Sequence, residues 1–122
     1  MKQVPTGAPY RVHFYQTPQG KEPVREWLRR LGREERRTLG EAIQTLQWLG
    51  PGLSMPQSLN LGRGLFELRE RMGRVRFRIF YAFDGATLIV LLHAATKDQR
   101  TIPEDVALAR KRLKEYFERK GE

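Results

Sequence analysis

Two glycine-centred breaks, Met72-Gly73 and Asp84-Gly85, divide the stretch from Gly64 to Lys97 into three segments in which aromatic, β-branched and charged residues alternate. Two-residue connectors ending in glycine have the shape of tight hairpin turns, and Asp-Gly is among the strongest such signals. Gly64 to Arg71, Arg74 to Phe83 and Ala86 to Lys97 are therefore expected to form three consecutive antiparallel strands. This meander needs one buried face, and the rest of the chain has to supply its cover.

The flanking sequence has the required pattern. Tyr10 to Tyr15 alternates, with Val12 and Phe14 on one side and Arg11, His13 and Tyr15 on the other, which predicts a first strand. Beyond Pro23 the period lengthens to that of a helix, with Val24, Trp27, Leu28 and Leu31 on one stripe. After Gly32 a second helix places Leu39, Ala42, Ile43, Leu46 and Leu49 inward and stops at Gly50-Pro51-Gly52. These two helices predict an antiparallel hairpin with the 33–37 charge run facing solvent, and Ser54, Pro56 and Ser58 fall in the loop beyond it. Pro103 to Arg119 reads as a closing helix, capped by Thr101 with Glu104 and buried through Val106, Ala109, Leu113, Tyr116 and Phe117. The fold class is α+β, a single domain of order β-α-α-β-β-β-α over residues 10–119. A flexible arm (1–9) precedes it and a short tail (120–122) follows.

The two turns also set strand register. With Met72-Gly73 as a turn, Arg71 faces Arg74, Arg69 faces Arg76 and Glu67 faces Arg78, while Leu68 with Phe77 and Phe66 with Ile79 form the core. Through Asp84-Gly85, Tyr81 pairs with Leu88, Ile79 with Val90 and Phe77 with Leu92 on that same core side. The opposite face then collects Glu67, Arg69, Arg71, Arg74, Arg76, Arg78, His93 and Lys97, beside an apolar patch of Phe80, Ile89 and Leu91. That patch needs covering by the closing helix or by a partner. Stacked arginines repel at about 5 Å, and here carboxylates are scarce. Guanidinium suits bidentate grip of phosphate, so this face is expected to bind an anionic polymer; the alternative is an ordinary solvated surface.

Charge and composition agree. The chain of 122 residues holds 23 Lys and Arg against 14 Asp and Glu, a formal charge of +9, and it has no cysteine. Thiolate metal sites, disulfide frameworks and cysteine nucleophiles are excluded, and a reducing cytoplasm is the expected location. His13 and His93 are the only histidines, so no metal and no cofactor is expected. No secretory signal or membrane span is read from the sequence, and there is no phosphate-binding loop or serine elbow. RNA, however, carries its own nucleophile in the 2′-hydroxyl. Cleavage then needs cations for the charge gathering on phosphorus and groups that move protons. Arg69, Arg78 and Lys97 are candidates for the first role, and His93 or Glu67 for the second. Arg71, Arg74 and Arg76, with Glu67, complete the candidate RNA-binding set. Tyr81 has core parity, and the side taken by Tyr15 stays open.

Leu65-Phe66-Glu67-Leu68-Arg69, then Arg76-Phe77-Arg78-Ile79-Phe80-Tyr81, then Leu91-Leu92-His93 with Lys97 and Thr101-Ile102-Pro103, and the closing 109–116 segment, resemble the RelE/ParE superfamily of type II toxins. The likeness is to the HigB-like, phage-derived branch and covers residues 10–119. It implies a ribosome-dependent mRNA endonuclease acting in the A site, in contact with rRNA. It also implies neutralisation by a helix-turn-helix antitoxin, DNA being met only through that partner. By position, Arg78 matches the family's central-strand arginine, Lys97 the basic residue after the last strand, and Arg69 the arginine ending the preceding motif. The lysine-rich strand of the best-known RelE type is replaced here by Leu65, Phe66 and Glu67. The antitoxin is expected on or beside the Phe80, Ile89 and Leu91 patch. A ParE-like gyrase inhibitor and a noncatalytic RNA-binding module are the alternatives.

Overall fold

A computed structural model describes residues 7–97 and 102–121, the side chain of Lys97 excepted. In chain order it contains β1 (Arg11–Phe14), α1 (Pro23–Arg30), α2 (Arg33–Leu49), a 3-10 turn (Gly50–Gly52), β2 (Ser58–Gly62), β3 (Leu65–Met72), β4 (Val75–Asp84), β5 (Leu88–Lys97) and α3 (Pro103–Lys120). The five strands form one sheet of order β1-β5-β4-β3-β2, antiparallel except for the parallel β1–β5 pair. The α+β class and the order of the expected elements agree with the sequence reading. One strand is additional: β2 lies where a loop was expected.

Both sheet faces are covered. Val24 and Leu28 of α1 and Leu39, Ile43 and Leu46 of α2 pack on Phe14, Leu68, Phe77, Ile79, Tyr81, Ile89 and Leu91. On the other face Ala109 of α3, with Val106, Leu113 and Tyr116, packs on Tyr15, Leu65, Phe80, Ala82, Val90 and Leu92. The expected patch of Phe80, Ile89 and Leu91 is therefore corrected: all three are fully buried, and they belong to opposite faces. An antitoxin site based on that patch loses its footing. Two helix assignments also change. Leu49 and Phe117, expected inward, are 51% and 42% exposed, while Gln47 is buried and its side-chain amide donates to the Tyr10 carbonyl.

The face error in β5 has a definite origin. The β4–β5 connection holds three residues, Gly85 to Thr87, because Asp84 pairs with Leu88; this reverses the parity of the β5 residues next to the turn. A bulge then shifts register between Phe80 and Tyr81, so that Tyr81 pairs with Leu91 but Phe80 with His93. Leu92 and His93 consequently lie on the same side, next to Phe80, and the second offset cancels the first. The β3–β4 turn is Gly73-Arg74, with Met72 opposite Val75. Its pairs move by two residues, which changes partners but not faces.

Polar contacts fasten α3. Asp84 accepts from the Tyr116 hydroxyl at 2.6 Å and the Lys120 ammonium at 2.6 Å, and these two bonds hold its carboxyl below the usual range. Tyr15 donates to Glu115 at 2.7 Å; burial first, then that bond, pushes its hydroxyl up to about 12. The expected Thr101 cap lies outside the described residues. Under the sheet, the buried Ser58 Oγ meets the Tyr81 hydroxyl at 2.5 Å, pinning β2 to the core.

Two measurements check these assignments. Gly50 has φ +52°, and a Cβ there would lie 2.1 Å from the Tyr10 ring, whereas Gly52 has open space. Gly50→Ala is expected to cost about 2–4 kcal/mol in urea unfolding and Gly52→Ala less than about 1 kcal/mol; equal losses would refute the packing. Asp84, with its folded-state pKa depressed, contributes stability above its unfolded pKa of about 3.9 and loses it as pH falls through the folded value. The Asp84→Asn variant is thus expected to be less stable than the parent at neutral pH, with the gap closing as the solution is acidified below pH ~4. A gap unchanged in acid would contradict the ion-pair assignment.

Candidate nucleic-acid interface

One corner of the sheet escapes helix α3, where β3 ends and β4 begins. In register there, Arg69 faces Arg78 and Arg71 faces Arg76, with Lys97 opposite Arg76 on β5. Each pair is like-charged, and alternation puts Glu67, Arg69, Arg71, Arg76 and Arg78 on the α3 side of the sheet. Arg69, Arg71, Arg76 and Arg78 line a cleft of about 320 Å³ together with Glu70, Phe77 and, from the approach to β2, Pro56 and Gln57. Gln57 is fixed there because its carbonyl accepts from the Arg69 backbone N–H at 2.8 Å.

The base of this corner is a buried carboxylate. Glu67 is 0% exposed; it accepts from Arg69 Nε at 2.8 Å and sits 3.7 Å from Arg78 Nη1. Arg78 is itself only 4% exposed. Burial draws its guanidinium below the ordinary arginine range; Glu67 opposes this, Arg69 and Arg76 add to it, and Asp105 opposes it. An arginine retains its proton even so. Above this pair, Arg69 is half-buried and Arg71 and Arg76 are exposed. Arg71 Nε is tied to the Gly73 carbonyl at 2.8 Å, which stiffens the turn. Four guanidinium groups against Glu67 and Glu70 leave the cleft net cationic, and the arrangement can hold an anion against the exposed heads of Arg71 and Arg76.

The remaining sequence candidates divide. Arg74 is corrected: it lies in the Gly73-Arg74 turn, not across from Arg71, and does not line the cleft. His93 stacks on Phe80 with ring centroids 5.7 Å apart; its Nε2 meets Asp105 Oδ1 at 2.8 Å and its Nδ1 lies 3.4 Å from Arg112 Nη1. A guanidinium only donates, so Nδ1 presents its lone pair to it and Nε2 carries the proton toward Asp105. His93 thus joins β5 to the first turn of α3. Asp105, an acid in the first turn of α3 that the sequence reading did not single out, reaches this neighbourhood because α3 packs back over β5. Its Oδ2 is buried with no hydrogen-bond partner among the described residues. The structure places Lys97 at its register position only, and among the described residues no three His, Asp or Glu side chains gather as a metal site would require. No described helix is long and apolar enough to cross a membrane.

Glu67→Gln is expected to cost about 3–5 kcal/mol of unfolding free energy, since a buried arginine loses its counter-charge. A loss under about 1 kcal/mol would show that the carboxylate does not anchor the corner.

Residues 26–114 match a family model described as phage-derived protein Gp49-like (DUF891). No curated protein matches the chain.

Proposed function

The chain belongs to the Gp49-like phage-derived protein family, and from that premise we propose that it is the toxin of a type II toxin–antitoxin system, a ribosome-dependent endoribonuclease. The observation that carries this reading is the corner itself: Arg69, Arg71, Arg76 and Arg78 around one cleft over a buried Glu67. The resemblance to the HigB-like branch supports the same reading. Its target is mRNA in the ribosomal A site, and its expected inhibitor is a helix-turn-helix antitoxin.

In this mechanism the exposed heads of Arg71 and Arg76 seat the phosphate backbone, and Arg69, oriented by Glu67, meets the scissile group. The 2′-hydroxyl gives up its proton and attacks phosphorus, negative charge gathers on the non-bridging oxygens, and the P–O5′ bond breaks to leave a 2′,3′-cyclic phosphate while the departing 5′-oxygen takes up a proton. Arg69 and Arg78 stabilise that charge through donors held by Glu67, and Lys97 is assigned to the same role by its place at the end of β5. Of the two proton-transfer candidates, Glu67 is fully buried against Arg69 and Arg78, which leaves His93 as the group able to carry protons. His93 does so through Nε2 after exchanging Asp105 for the substrate.

Expression of the chain alone is expected to arrest growth and leave cut messages on ribosomes, with Arg69→Ala or Arg78→Ala lowering cleavage about 10²–10³-fold. Arg71→Ala and Arg76→Ala are expected to weaken RNA binding and each reduce its salt slope by about one. Intact messages during arrest, accompanied by loss of gyrase supercoiling, would point to the ParE-like alternative. RNA binding without cleavage on translating ribosomes would leave a binding module.

A further inference from the structure

Away from the arginine corner, about 20 Å along β4 at the usual rise per residue, α3 and the sheet leave a second groove. Its volume is about 430 Å³, and it is lined by Arg63, Gly64, Ala82, Phe83, Arg110, Leu113, Lys114 and Phe117. The lining is apolar at Ala82, Phe83, Leu113 and Phe117 and cationic at Arg63, Arg110 and Lys114, with no carboxylate in it among the described residues. Phe117 is 42% exposed here, although Val106, Leu113 and Tyr116 of the same helix pack on the core.

The cationic edge is built rather than incidental. Arg63 has φ +52° between Gly62 at +89° and Gly64 at +83°, a left-handed conformation that an arginine adopts at a cost glycine or asparagine avoids. Asn60 Oδ1 accepts from the Gly62 N–H at 2.8 Å, and Arg110 donates to the Leu61 and Gly62 carbonyls at 2.8 and 3.1 Å. The β2–β3 turn is thereby fastened to α3 from below. Arg110 is occupied by that task, leaving Arg63 on the β2–β3 turn and Lys114 on α3 as exposed cations of the lining.

We propose that this groove is a docking site for an acidic amphipathic segment of a partner protein, whose aliphatic side chains enter between Leu113 and Phe117 while its carboxylates meet Arg63 and Lys114. Charge complementarity and the apolar lining select this occupant. Nucleic acid is the weaker fit, because two separated cations make no phosphate track comparable with the arginine corner. The site stands whether or not that corner cleaves RNA.

The test is an NMR titration of the full chain with three probes: a synthetic amphipathic helix with leucine on one face and glutamate flanks, the same helix with lysine flanks, and oligouridine. The acidic helix is expected to shift the amides of Ala82, Phe83, Leu113 and Phe117. Its affinity should fall about tenfold in Arg63→Asn with Lys114→Gln and again in Phe117→Asp, each 1.4 kcal/mol being tenfold. Asparagine tolerates the left-handed backbone and Phe117 is exposed, so these variants keep the fold; Arg71→Ala leaves this binding unchanged. Absence of shifts, equal binding of the lysine-flanked helix, or oligouridine shifting the same amides would each overturn the proposal. Growth arrest and message cleavage are read separately, so failure here is distinct from failure of the nuclease reading.

Discussion

The one-residue bulge in β5 opposite Phe80 and Tyr81 decides which residues reach which side of the sheet. Next to the β4–β5 turn, strict alternation sends Ile89 and Leu91 to the helical hairpin and Val90 to α3. Without an extra residue, His93 would follow Ile89 and Leu91 into the hairpin core. The bulge instead lays Leu92 and His93 on the α3 side, where Leu92 fills the core and His93 stacks on Phe80 and meets Asp105. A sheet buried on both faces at one end thus becomes, within two residues, a sheet with one face partly open at the other.

That geometry explains what could be read from the chain. The strands, helices and sheet class are legible because glycine turns and hydrophobic period are local signals. Tyr81 follows the core parity read for it, and Arg69, Arg71, Arg76 and Arg78 share a face because a register error of two preserves alternation. The β5 faces were not legible: a three-residue loop and a two-residue loop look alike at Asp84-Gly85, and a bulge leaves no mark in composition. His93 reached its expected side only because the two offsets cancel. Strand β2 stayed hidden for another reason. Its inward residue is Ser58, a polar group whose burial is satisfied by the Tyr81 hydroxyl, a partner 23 residues away in sequence.

Glu67 shows the same principle in electrostatic form. From the sequence it is the lone carboxylate opposite a row of arginines; in the fold it is the buried member from which that row is built. Two buried charges of opposite sign repay their desolvation only with good geometry and further hydrogen bonds. Such a pair contributes little net stability, yet removing one member leaves the other exposed to the full penalty. The value of the pair lies in orientation: Arg69 engages Glu67 through Nε, a bond that fixes the plane of its guanidinium and leaves its terminal nitrogens outside that contact.

Part of the positive charge behind the net +9 is consequently tied up inside the fold. Arg110, Arg112, Arg119 and Lys120 all look available on a helical wheel, yet Arg110 and Arg112 donate to carbonyls of Leu61, Gly62 and Leu92. Arg119 bonds the Gln16 carbonyl and Glu115, and Lys120 bonds Asp84. These cations fasten α3 across the sheet, Arg110, Arg112 and Arg119 by meeting backbone carbonyls and Lys120 by meeting the Asp84 carboxylate. Arg71 and Arg76 at one corner, and Arg63 and Lys114 at the other, keep exposed heads. A basic helix that would ordinarily suggest a nucleic-acid or membrane surface is here partly structural, while exposed cations remain at both ends of β3 and β4 and along α1 and α2.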